Sequence, residues 1–227
     1  MSNKSSRSRP KSRRASAAKR HQGHPARSGP GKSPAQTDQA GAQAQAPGNG
    51  NLILLAGFAA SALLFWYYHL LVLNQMADLS LGIPMPDQLI GGYDASYIDT
   101  LRRVMDEDAR GQLSYVHKTA GLLFPLFLAL VTMRAVNLHV ARGPLRWGLW
   151  AVPMAFAVVD LWENAAIDAL LTGPLDPAAV ALASFLTVTR WVLLFGTVAV
   201  AAFVLVRSFV ATFRRKWAGE GLSSPRV

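Results

Sequence analysis

Residues 147–171, Trp-Gly-Leu-Trp-Ala-Val-Pro-Met-Ala-Phe-Ala-Val-Val-Asp-Leu-Trp-Glu-Asn-Ala-Ala-Ile-Asp-Ala-Leu-Leu, read as a membrane helix interrupted by acids. The stretch is long enough to cross a hydrocarbon core of about 30 Å. Yet Asp160, Glu163, Asn164 and Asp168 fall at i, i+3, i+4 and i+8, on one helical face. A charge at the bilayer centre costs about 2.5–3.5 kcal/mol on insertion scales, so four polar groups on one stripe require partners or water. If the stretch crosses, the fold is a four-span bundle with a polar interior.

The neighbouring sequence agrees with that reading. Three further runs have span length and composition: Leu52 to Leu73, Tyr115 to Val136 with Pro125 inside, and Ala178 to Phe209. The fold class is therefore all-α, an integral membrane bundle of four transmembrane helices over residues 51–217. The chain is 51% hydrophobic with net charge +10, which in one domain would conflict. The two properties separate along the chain. Residues 1–50 carry ten of the 23 Lys and Arg and a single acid, Asp38. That composition predicts a disordered cytoplasmic tail, able to touch anionic lipid headgroups. Without an aromatic residue for base stacking, it does not suit nucleic acid. Residues 218–227 form a second short tail.

Charge also sets the orientation. Arg134, Arg142 and Arg146 flank the second connection, and Arg207, Arg214, Arg215 and Lys216 follow the last span. Residues 76–114 hold seven acids against three Arg. By the excess of positive charge on the cytoplasmic side, both termini are expected inside and residues 76–114 outside, in a cytoplasmic membrane. The basic lead and long apolar run do not suit a cleaved signal peptide. Within the external segment, Gly91-Gly92-Tyr93 reads as a turn and Asp94 to Arg110 as an amphipathic helix. Ser96 and Asp99 resemble a capping box, Tyr97, Ile98, Leu101, Val104 and Met105 form the apolar stripe, and Gly111 ends the helix before span two. Arg102 with Asp106, and Arg103 with Glu107, are expected to pair at i, i+4.

At 1.5 Å per residue, Asp160 and Arg190 both lie roughly 15–20 Å below the outer surface. The short turn at Gly173-Pro174-Leu175-Asp176-Pro177 makes spans three and four antiparallel neighbours. Arg190 is then expected to pair with Asp160 or Glu163, and Lys118 to reach Asp168 or Glu163. Ser184 and Thr187 share the face of Arg190, and His117 lies at the depth of Asp168. Such a seam can act as interhelical glue, or as an ion path or headgroup pocket. It can also be a hydrated cleft that never reaches the cytoplasm.

Catalysis has little support. The chain has no Cys, which excludes thiol chemistry and thiolate metal sites. It has no HExxH and no phosphate-binding Gly loop, and spacing alone assigns no nucleophile and base to Ser184, His117 and Asp168. No cofactor and no metal site is expected. The readings that remain are a structural or lipid-binding membrane protein, a small ion- or proton-coupled transporter, and a lipid-modifying enzyme.

Several motifs occur in a particular order: Gly92-Tyr93-Asp94 before a charged helix, a second span with an internal Pro, Asp160-x-x-Glu163-Asn164, then Ala183-Ser184-x-x-Thr187-x-x-Arg190-Trp191. Over about residues 52–210 the chain resembles a family of small bacterial four-span membrane proteins. In that family the third span carries Asp-x-x-Glu-Asn and the fourth Ser-x-x-Thr-x-x-Lys or Arg. The resemblance implies a bacterial cytoplasmic membrane and no particular activity. Arg in the fourth span does not deprotonate, which argues against a proton-shuttling lysine.

Overall fold

The structure, a computed structural model, describes residues 50–220. The expectations for the tails at 1–49 and 221–227 lie outside the described residues. The described residues form helices and their connections, without a strand. The first long stretch consists of α1 (Gly50–Phe65), a π-helical segment (Trp66–Val72) and α2 (Leu73–Leu79). A 3-10 turn at Pro86–Gln88 follows, then α3 (Ala95–Val104), α4 (Glu107–Lys118), α5 (Ala120–His139), α6 (Pro144–Thr172) and α7 (Pro177–Glu220). Three stretches are long and apolar enough to cross a membrane: Gly50–Leu79, Glu107–His139 and Pro177–Arg214. With 29 residues, α6 measures about 44 Å. It lacks their uniform apolarity because Asp160, Glu163 and Asp168 interrupt it.

Packing places α5 at the centre, against α1, α6 and α7, while α6 and α7 form the most extensive pair. Toward the end holding the α5–α6 turn, the core is aliphatic, with Leu54, Val136, Val140, Val200 and Val204. Toward the opposite end it is broader: Leu73, Met76, Met85, Leu101, Met105 and Leu113 are all buried. Segment 80–105 is thus packed onto the helices rather than floating beside them. Ile98 buries against Leu170, Val180 and Ala183 at the α6–α7 turn.

The single helix expected over Asp94 to Arg110 is broken in two. α3 stops at Val104, Met105 is extended and buried, and α4 restarts with Asp106 as its N-cap, accepting from Ala109 N at 2.7 Å. An Asp side chain that can satisfy a free helix-start N–H competes with helix continuation. Gly111 sits inside α4 and does not end the helix. The cap of α3 is Asp94, accepting from Tyr97 N at 2.8 Å, in place of the Ser96–Asp99 box. Neither expected Arg pair forms; Arg103 pairs backward with Asp99 at 2.5 Å. The second long stretch also bends at Thr119, whose hydroxyl bonds to the Tyr115 carbonyl.

Candidate functional site

Arg190 is the centre of the site. Its guanidinium, 1% exposed, forms an ion pair with Glu163 through Nε and lies 3.7 Å from Asp160 through Nη1. Nη1 also meets His69 Nε2 at 3.0 Å, and Nη2 donates to the Asp87 carbonyl oxygen. Trp191 Nε1 donates to the same carbonyl at 3.1 Å, and the Arg190 guanidinium stacks over the Trp191 ring at 4.8 Å. One cation therefore ties α6 and α7 to the π segment and to the 3-10 turn. Thr187 is buried on the same face of α7 and donates to Ala183 O. Ser184 accepts from Tyr93 N at 2.8 Å and so holds the turn that leads into α3.

The approach at that turn requires glycine. Gly92 has φ +80°, and a Cβ there would stand 2.5 Å from Ser184 Oγ. Gly121 makes a second close approach, because its Cβ would stand 2.9 Å from Asn164 Nδ2 and 3.2 Å from the Tyr68 hydroxyl. Pro125 explains what Asn164 does there. Proline has no N–H for the carbonyl four residues before it, so the Gly121 carbonyl is released, and Asn164 Nδ2 donates to it at 3.2 Å.

Toward the rim, His117 lies between two carboxylates. Nδ1 meets Asp168 at 2.6 Å and Nε2 lies 3.4 Å from Asp87, the latter without hydrogen-bond alignment. Ser114 donates to Asp168 at 2.8 Å. Tyr68 donates to Asp87 Oδ1 at 2.9 Å and lies 3.4 Å from Asn164, which in turn lies 3.4 Å from Asp160. Polar contacts thus run from Asp168, 20% exposed at its side chain, to the buried Asp160 and Arg190. Burial alone would raise the Asp87 carboxyl. His117, Arg190 and the Tyr68 hydroxyl outweigh it and hold Asp87 well below the usual carboxylate range.

No family model, curated protein or solved structure matches the chain. The site therefore rests on its own geometry. It gathers Asp160, Glu163, Asn164, Thr187 and Arg190, with His117 and Asp168 at the rim and Ser184 on the neighbouring turn. Lys118 is not among them: it is exposed and makes no ion pair, because Ser114 and His117 already occupy Asp168. Sequence reasoning missed Tyr68 and Asp87. The available signal was an acid enclosed by Ile83-Pro84-Met85-Pro86 and Leu89-Ile90, unusual company for a solvated loop.

Chemically, the cluster holds charges in place. Ser114 bonds to Asp168 and not to His117, so the Ser, His and Asp present do not form a nucleophile–base pair. Among the described residues, no group of three or more His, Asp or Glu is arranged to hold a metal ion.

Proposed function

We propose that the chain is a four-span membrane protein with both termini cytoplasmic, in which the ionic seam locks an external segment onto the bundle. In this reading α6 is the remaining span. Its acids face inward while Met154, Val158 and Trp162 are exposed, giving an apolar surface for lipid. The protein acts as a non-enzymatic scaffold, binding the bilayer and lipid or protein partners. Its basic tail is suited to anionic headgroups, and the resemblance to a bacterial four-span family supports the same compartment.

One observation carries this reading over transport: the polar contacts stop halfway. Beyond Arg190 the core passes to Leu54, Val136, Val200 and Val204, with no buried ionisable side chain among the described residues there. A conducting path needs polar groups or water on both sides of the midplane. Of the buried hydroxyls in that half, Ser61 and Thr197 bond to carbonyls of their own helices, and Thr132 Oγ1 has no hydrogen-bond partner.

Two measurements test the proposal. Since the chain has no Cys, single cysteines at Ile90, Leu175 and Gly143 report topology without background. The first two should react with an impermeant thiol reagent from outside, and the third only after permeabilisation. Liposomes containing the protein should show no proton or alkali-cation flux above empty ones. A flux removed by Asp160→Asn would overturn the scaffold reading and select transport.

A further inference from the structure

α1 and α7 both rest on α5, and between them lies a lateral cleft of about 360 Å³. That volume falls within the roughly 300–1,000 Å³ of ligand pockets. Phe58, Phe65, Phe124, Trp191 and Phe195 line it together with aliphatic side chains such as Leu128 and Leu194. The polar atoms in the lining are already engaged: Ser61 donates to Gly57 O at 3.0 Å, and Trp191 Nε1 to Asp87 O. No charged residue lines the cleft. An occupant must therefore be neutral and largely apolar, and the five aromatic rings suit one with a planar part.

His69 adds a requirement. Its ring packs against Phe65 at 4.8 Å, Phe124 at 5.4 Å and Trp191 at 5.6 Å, three of the cleft-lining side chains. Nε2 faces the Arg190 guanidinium, which can only donate, so Nε2 is the acceptor and Nδ1 carries the hydrogen. Nδ1 is buried and has no hydrogen-bond partner. A buried donor left unsatisfied is costly and calls for an acceptor. Arg190 lies 13 residues into α7, about 20 Å from its start, so the acceptor is needed near the midplane. A phospholipid keeps its charged headgroup at the interface, about 15 Å from that level, and brings only its chain this deep.

We propose that the α1–α7 cleft binds a lipid-soluble quinone: a neutral ring among Phe65, Phe124 and Trp191, one carbonyl accepting from His69 Nδ1–H, and an apolar tail toward Phe58. His69 lies behind those rings, so the carbonyl reaches it when one of them turns aside. The inference rests on the membrane-spanning reading and is independent of whether the seam conducts.

The full-length protein in detergent micelles is incubated with a decyl-substituted benzoquinone, and quinone retained on size exclusion is compared with empty micelles. Decylbenzene, which has no carbonyl, is the control. Saturable retention of the quinone and much weaker retention of decylbenzene are expected. His69→Phe keeps an aromatic ring and removes the donor, and should weaken binding tenfold or more. Ala62→Trp, at the exposed mouth of the cleft and away from the seam, should abolish binding with the melting temperature unchanged; it decides the matter should His69→Phe not fold. Three results would each overturn the proposal. They are non-saturable retention, equal retention of decylbenzene, and unaltered binding by a folded His69→Phe, as when a buried water satisfies Nδ1. Failure of the spanning reading would appear separately, in the cysteine-labelling pattern.

Discussion

Replacing Arg190 with Gln removes the only cation facing both Asp160 and Glu163 among the described residues. Two estimates of the cost converge. Polar pairs in membrane proteins reach about 1.7 kcal/mol at their upper end, so two carboxylate pairs give about 3.4 kcal/mol. Breaking a buried ion pair from one side costs about 3–5 kcal/mol, because the remaining charge is stranded. The larger part of the membrane range applies because His117, the other nearby basic side chain, is already engaged by Asp87 and Asp168. A loss of about 3 kcal/mol corresponds to a fall of roughly 6–12 °C in melting temperature, measurable by thermal unfolding in detergent. Arg190→Gln combined with Glu163→Gln should recover at least about 1 kcal/mol, because it removes one stranded carboxylate along with its partner. A loss below about 0.5 kcal/mol for the single variant, or strict additivity in the double one, would refute the view that Arg190 holds the seam together.

Three further outcomes follow from the same contacts. Gly121→Ala puts a methyl 2.9 Å from Asn164 Nδ2 and should cost about 1–3 kcal/mol as overpacking; Gly111→Ala, with open space around it, should be neutral or slightly stabilising in the same melts. Gly92→Ala combines positive φ with a clash on Ser184 and should destabilise by about 1–2 kcal/mol or more; hydrogen exchange should locate the loss in segment 84–98. Asp87 has a depressed folded-state pKa, so its contribution is complete above the unfolded value near about 3.9 and is lost as pH falls toward the folded value. Melting temperature should therefore drop below about pH 4 in the wild type and drop less in Asp87→Asn; parallel pH profiles would show that Asp87 is not held as described.

The helices were legible because apolar run length depends only on local composition, and their packing obeys short connections. The side of α6 that turns inward was legible too, since Asp160, Glu163 and Asn164 share a face at helical spacing. Residues 94–110 were read less well. Their helical period over Tyr97 to Met105 is real, but Asp106 caps a new helix, and capping competes with continuation on a scale that periodicity does not register. Lys118 was placed in the seam by depth alone, and depth does not specify rotation about the helix. The π segment was invisible, and it carries both Tyr68 and His69 in the core.

The sequence by itself determined the all-helical fold, the three strongly apolar helices, and the acidic stripe and lone deep arginine that must find each other. These follow from period and from the cost of charge in hydrocarbon, both local properties. Only the tertiary structure decided that Asp87, from the connection before α3, completes the cluster through Tyr68, His117 and Arg190. It also decided that Pro125 frees a carbonyl for Asn164, and that the polar contacts end against an aliphatic core. Long-range partners are chosen by packing, which no spacing along one helix encodes.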